Sequence, residues 1–275
     1  MIRHQIVIPL LGFVSILVLL LVFLPQEQST GDFSVLAGYQ PMTSFALPDL
    51  SNERNIHRRK VRFFEYLLPV VQNENLRLAD IRQRLVYIQE HDRLGHQLST
   101  ADQTWLVGIL VEFRLSGMAE RQEQFWTELY LRVDQIPETL VLVQAANESA
   151  WGTSRFAREG NNLFGQWCFS PGCGMVPEGR PEGEIYEVAR FTSVSHAVAA
   201  YMRNLNTGRS YEGLRKKRAR SRREGKLVSA ADLAKGLVRY SQRGEEYISE
   251  LLVMLRINSP IIEEIRSPGP DKPEA

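Results

Sequence analysis

Between Ile6 and Leu24 the chain runs for nineteen residues without a charged side chain. As an α-helix this stretch would be about 28 Å long, close to the roughly 30 Å hydrocarbon core of a bilayer. No polar face interrupts it, which argues against a buried amphipathic helix of a soluble core. A cleavable leader has a shorter apolar region and a small-x-small cleavage site, and Phe23-Leu24-Pro25-Gln26-Glu27 offers none. The segment is therefore expected to remain as a single membrane-spanning anchor. Arg3 stays on the cytoplasmic side, which sends everything after Leu24 across the membrane.

At 275 residues, the whole chain suits one main domain with a smaller extra region. With 44% hydrophobic and 24% charged residues it can bury a core, so wholesale disorder and a polytopic membrane protein are excluded. Arg3 is the one charged side chain before Pro25, and beyond it 32 basic residues balance 32 acidic ones, so global charge names no partner. Locally the balance fails: the run from Arg203 to Lys226 holds ten Lys or Arg against two Glu. It reads either as a solvated helix surface or as a contact with anionic lipid or acidic groups of a cell wall. The expected topology argues against nucleic acid as its partner.

Residues 26–55 are rich in Pro, Ser, Thr and Gly without a sustained period and read as a flexible linker. From Arg58 to Val133 apolar residues recur at spacings of three, four and seven. They fall into four groups: Val61, Phe64, Leu67 and Leu68; Leu76, Ile81, Leu85 and Ile88; Trp105, Leu106, Ile109, Leu110 and Phe113; and Phe125, Leu129 and Tyr130. This pattern predicts four amphipathic helices with a packing role.

The next helix differs. Asp134 is a candidate cap, Pro137 suits a first turn, and Leu140, Val141, Leu142, Val143, Ala145 and Ala146 follow almost without a polar break, as expected of a buried helix. Gly152 is a natural stop, so Glu148 is delivered at the helix C-terminus. There the negative end of the macrodipole and an apolar surround containing Trp151 both favour the protonated form. A carboxyl protonated at neutral pH is what a general acid for glycosidic cleavage requires.

Cys168 and Cys173 bracket a Pro-Gly turn, and no His lies within twenty residues of the pair. A closed zinc site is not expected. In an oxidising compartment a small disulfide loop is the expectation, two reduced thiols the alternative.

Two dense boxes, Glu148-Ser149-Ala150-Trp151-Gly152 and Asn162-Leu163-Phe164-Gly165, are joined by Tyr240-Ser241-Gln242-Arg243-Gly244-Glu245-Glu246-Tyr247 and its following apolar residues. Together they resemble the glucosaminidase domains of glycoside hydrolase family seventy-three, and more closely the Bax proteins of Gram-negative bacteria. The resemblance implies an α+β, mainly helical, lysozyme-like fold with a small β-hairpin lobe, acting without cofactor or metal. It implies peptidoglycan glycan strands as substrate, Glu148 as catalytic acid and Tyr240 as an active-site tyrosine. It also sets the anchor in the inner membrane, with the catalytic domain in the periplasm. Trp151, Phe164 and Trp167 offer flat faces for sugar rings, and Asn162 and Gln166 can hydrogen-bond acetamido and hydroxyl groups; packing and turn roles are open to all five.

A second carboxylate, usual in glycosidases, is less clear. Glu178, Glu182, Glu184 and Glu187 follow, and a strand through Ile185, Val188 and Phe191 would put Glu184 and Glu187 on opposite faces. Glu184 and Glu187 are the candidates. Without either, the substrate's own acetamido oxygen can serve as nucleophile. A lytic transglycosylase working through Glu148 alone, and a wall-binding scaffold of the same fold, are the alternatives to a hydrolase. The expected organisation is an anchor at 1–25, a linker at 26–55, a helical region at 56–133, a glucosaminidase domain at 134–258 and a disordered tail at 259–275.

Overall fold

The computed structural model describes residues 46–118 and 124–267. The anchor at 1–25 lies outside them, and among the described residues no helix is long and apolar enough to cross a membrane.

Helix α1 (Ile56–Arg93) opens on Asn55, whose side chain accepts from the backbone N–H of Arg58 at 3.0 Å. It spans what the periodicity divides into two helices, so the region holds α1, α2 (Thr100–Glu112) and α3 (Phe125–Arg132) among the described residues instead of four helices. Pro69 lies within α1 without ending it. Proline removes one hydrogen bond, while Phe63, Phe64, Leu67, Val71, Leu78, Leu85 and Ile88 stay buried along the helix on both sides of it. Leu76, placed by the periodicity in the second group, is exposed. The last part of the expected linker is also packed: Leu50 is fully buried and Leu47 lies against the core. Two leucines in a polar stretch were too sparse to show a period.

Helix α4 (Glu138–Glu148) is central, with every residue from Leu140 to Ala146 buried. Asn75 of α1 fixes its entry, donating to Ile136 O at 2.8 Å and accepting from Ile136 N at 3.0 Å. Asp134 does not cap it; Pro137 holds the N-cap position, without a side-chain cap. Asp134 is instead a buried anion, held by both nitrogen arms of Arg222 at 2.6 and 2.7 Å and approached by Arg218 Nε at 3.3 Å. A buried carboxylate needs such partners.

Helices α5 (Arg155–Gly160), α6 (Val194–Thr207), α7 (Glu212–Arg223), α8 (Ala230–Ala234) and α9 (Glu245–Arg266) complete the helical part. Most of the basic run is exposed, as a solvated helix surface would be, but two of its arginines are internal. Arg218, on α7, is 1% exposed and donates to Leu131 O and Asn206 Oδ1, and Arg215 donates to the carbonyls of Leu205 and Gly208. The expected tail is also corrected: α9 continues through Pro260 to Arg266, because Ile262 is fully buried and Arg266 pairs with Glu138 at the start of α4 at 2.8 Å.

The small lobe is a three-stranded antiparallel sheet, with β3 (Glu187–Ala189) between β1 (Trp167–Cys168) and β2 (Gly174–Met175). The architecture is mainly helical with few strands, in keeping with an α+β lysozyme-like fold. One apolar core takes residues from α1 to α9, so 56–133 is no separable layer.

Candidate active site

Helix α4 stops at Glu148 because the chain turns left-handed at once. Ser149 Oγ donates back to Ala145 O at 2.6 Å and accepts from Gly152 N at 2.8 Å, while Ala150, Trp151 and Gly152 have φ of 51°, 61° and 76°. A non-glycine residue there costs about 1–3 kcal/mol, and two in succession place strain directly after Glu148. Gly152 is favoured there twice over, by its φ of 76° and because a Cβ on it would lie a tight 3.3 Å from Phe63 Cε2, so the turn packs closely onto α1. Trp151 follows the same direction, edge-on to Phe63 and Phe64 at 5.9 and 5.4 Å with Lys60 Nζ 5.2 Å from its ring. It packs on α1 and is only partly buried.

The carboxyl of Glu148 is held from two sides. Tyr247 of α9 donates its hydroxyl to Oε1 at 2.9 Å. On the other side lies the second box, since a Cβ built on Gly165 would be 3.9 Å from Oε2, and a φ of 61° favours glycine there. That loop is shaped by Asn162, whose Oδ1 accepts from the N–H groups of Phe164 and Gln166 at 3.2 and 3.1 Å while its Nδ2 donates to the carbonyls of Gln166 and Ala189 at 2.9 and 2.8 Å. Gln166 donates to Ala197 O at 3.1 Å. Phe164 is buried, stacked on Tyr201 with ring centroids 3.9 Å apart. Asn162, Gln166 and Phe164 thus build the loop, and both ends of the Asn162 amide and the Gln166 side-chain nitrogen are bonded to the protein backbone.

Tyr240 reaches the site through the same loop, donating to Phe164 O at 2.8 Å and stacking on Tyr247 at 5.5 Å. It steadies the partners of Glu148, whereas Tyr247 touches the carboxyl. Behind Tyr247 lies Gln144, whose Nε2 donates to the Tyr247 hydroxyl at 2.9 Å and whose Oε1 accepts from Tyr201. Sequence reasoning quoted Tyr247 as the end of a motif without giving it a role, and missed Gln144 and Tyr201. Gln144 carried a signal: it is the polar break in an apolar helix, one turn before Glu148.

Burial pushes the carboxyl of Glu148 above its ordinary range, against the opposing effects of hydrogen bonds from Tyr247 and Asn147 and the charge of Arg243. Burial also pushes the Tyr247 phenol up, and the neighbouring Glu148 adds to it, so Tyr247 keeps its proton and remains a donor. A protonatable carboxyl with one fixed oxygen and one beside a glycine can give a proton to a leaving group.

The lobe presents different chemistry. Trp167 is 52% exposed, edge-on to Tyr186 at 4.5 Å, and is the open aromatic surface among the sequence candidates. Glu184 is exposed in the loop before β3, which begins only at Glu187, so the alternation expected from Glu184 onward does not occur. Glu187 is buried, accepting from Gly172 N at 2.9 Å and Gly174 N at 2.7 Å, and these two N–H groups hold its carboxyl below the usual range. Its oxygens are committed to the loop closed by the Cys168–Cys173 disulfide. The two sulfurs and Glu187 lie within 4.8 Å of one another, but sulfurs bonded to each other are not thiolate ligands.

Comparison with known proteins converges on the same segments. The glucosaminidase profile, described as mannosyl-glycoprotein endo-beta-N-acetylglucosaminidase, matches residues 126–256. The chain is also 33% identical over 219 residues to Protein bax of Escherichia coli strain K12, an alignment covering 80% of this chain and 77% of that one. No solved structure gives a significant match.

Proposed function

Because this chain belongs to the Bax-like glucosaminidase-domain proteins, we propose that it is an endo-β-N-acetylglucosaminidase of peptidoglycan. It cuts the β-1,4 bond between GlcNAc and MurNAc with Glu148 as general acid. The observation that carries this reading is the carboxyl of Glu148, raised by burial at the end of α4 and held by Tyr247 on one oxygen. Glu148 gives its proton to the glycosidic oxygen as the bond from GlcNAc C1 to that oxygen breaks. Water then supplies hydroxide to C1, and its remaining proton restores Glu148.

Both oxygens of Glu187 are occupied and Glu184 is exposed, which favours a site with one working carboxyl. The acetamido oxygen of GlcNAc then provides the nucleophile, one of the recognised exceptions to the two-carboxylate scheme. The same observation favours a second reading, a lytic transglycosylase, in which the bond from MurNAc C1 to the next sugar's oxygen breaks instead, and MurNAc's own C6 hydroxyl takes the place of water at that carbon while its proton leaves through the Glu148 carboxylate.

The apolar run from Ile6 to Leu24 supports a single inner-membrane anchor with the domain in the periplasm. After Arg215, Arg218 and Arg222 are assigned to internal contacts, Lys216, Lys217, Arg220, Arg223 and Lys226 remain exposed for anionic lipid or wall.

Mass spectrometry of fragments released from peptidoglycan sacculi, beside Glu148→Gln, is the test. Reducing-end GlcNAc absent from the variant supports the glucosaminidase, anhydro-muramic ends select the transglycosylase, and binding without release by both proteins overturns the enzyme reading.

A further inference from the structure

Gln144 is fully buried on α4, one turn before Glu148, and touches neither the reacting carboxyl nor the open face of the site. Both ends of its amide are used, the oxygen by Tyr201 and the nitrogen by Tyr247 at 2.9 Å. We infer that Gln144 is a positioning residue which, through Tyr247, confines the catalytic proton to Oε2 of Glu148. The inference rests on the reading of Glu148 as the general acid.

The direction of the chain follows from what each group can do. An ionised carboxylate only accepts, so Tyr247, facing Oε1 at 2.9 Å, spends its one proton there. The phenol oxygen then receives the N–H of Gln144, which turns the amide carbonyl towards Tyr201; that residue, 1% exposed, has one proton to give. Each of the three links pairs a donor with an acceptor, and reversing one of them sets donor against donor or acceptor against acceptor in a buried place, a costly state.

When Glu148 takes up its proton, Oε1 is the poor place for it. A proton there would point at a hydroxyl whose own hydrogen already faces Oε1 and whose acceptor side is filled by Gln144. It therefore resides on Oε2, the oxygen beside Gly165. Without the N–H of Gln144, Tyr247 is free to turn and accept from Oε1, and the proton becomes locked in an internal hydrogen bond. The protonated form gains a partner and the leaving group loses a donor. The charged and titratable groups around Glu148, namely Tyr247, Tyr240, Tyr201, Arg243 and Glu250, are unchanged by a substitution at Gln144. Arg243 and Glu250 are moreover paired with each other at 2.6 Å.

The test uses the full chain with Gln144→Met and, separately, Tyr201→Phe, which frees the amide to turn its oxygen towards Tyr247. Two quantities are read: the pH dependence of kcat and KM on peptidoglycan, and the carboxyl carbon-13 titration of Glu148, assigned with Glu148→Gln. Gln144→Met is expected to lower kcat about tenfold with KM little changed, and to move the Glu148 titration to higher pH. Tyr201→Phe is expected to shift both in the same direction by less. A merely structural glutamine would lower the melting temperature and leave the titration in place, and that result in the folded variants overturns the inference. Should Gln144→Met fail to fold, Tyr201→Phe decides by the same titration. Wild-type protein that leaves peptidoglycan uncut overturns the enzyme reading, while the titration still reports whether Gln144 governs Glu148.

Discussion

The hydroxyl of Tyr247 donates to Oε1 of Glu148 at 2.9 Å across 99 residues of sequence. A hydrogen bond to the charged form of an acid lowers its pKa, and here it works against the burial that raises it. Removing the hydroxyl leaves burial less opposed. Tyr247→Phe is thus expected to move Glu148 further up, shifting the alkaline limb of the rate profile to higher pH. It should also lower kcat about 10- to 100-fold, because the carboxyl loses its fixed orientation. A pH profile of kcat checks both; an unmoved limb would show that Tyr247 does not govern Glu148.

Glu148→Gln should abolish turnover and raise stability. A carboxyl whose folded pKa lies above its unfolded value binds its proton more tightly when folded, so it subtracts stability as pH rises through the window above the ordinary value of 4.5. Gln carries no charge to bury. Near pH 4 the two proteins should unfold at similar denaturant concentrations, and by pH 7 the variant should be the more stable by up to about 1 kcal/mol. Chemical denaturation across that range is the measurement, and a gap that closes with rising pH would contradict burial as the cause.

Helix α1 supports the turn that follows Glu148. Phe63 is fully buried, meets Trp151 edge-on at 5.9 Å and would crowd a Cβ on Gly152 at 3.3 Å. Phe63→Ala is expected to cost about 3–5 kcal/mol and to lower activity by loosening the left-handed turn that follows Glu148. Deleting 56–133 should yield unfolded protein, as judged by circular dichroism. A folded and more active truncation would instead identify the region as an inhibitory cover.

The sequence was most legible where function compresses it. Glu148, Gly152, Asn162 and Gly165 fall in two short boxes, and the buried character of α4 could be read from Leu140 to Ala146 without knowledge of its neighbours. What periodicity could not show was which atoms are spent. Asn162 and Gln166 have the donors and acceptors of ligand-binding residues, and only the fold around them shows both ends of the Asn162 amide and the Gln166 nitrogen bonded to the backbone. Arg218 has the composition of a surface, yet Asp134, 84 residues away, draws it inside. The Tyr247–Gln144–Tyr201 chain joins three helices, and such a junction has no local period. Pro69 and Pro260 both lie inside helices because buried side chains beyond them continue the same face. A rule that stops helices at proline sees the lost hydrogen bond and not the burial.

Glu187 provides the sharpest choice between structure and chemistry in the lobe. Its carboxylate accepts from Gly172 N and Gly174 N, the residues on either side of Cys173, so it and the disulfide restrain one turn. The carboxyl is held below its ordinary value of 4.5 by those N–H groups, so its contribution is present above that value and is lost as pH falls through the depressed one. Replacing both cysteines by serine should cost about 2 kcal/mol for so short a loop, and Glu187→Gln should lower the melting temperature because an amide brings its own N–H against one of the two donors. Since each restraint matters most while the other holds the turn in place, the triple substitution should destabilise by less than the sum of the two separate effects. Urea unfolding of the four proteins at pH 7 measures the coupling. Activity measured alongside decides the chemistry: Glu187→Gln with nearly wild-type kcat leaves Glu148 as the working carboxyl, whereas a loss of several orders of magnitude at unchanged stability would restore a two-carboxylate mechanism.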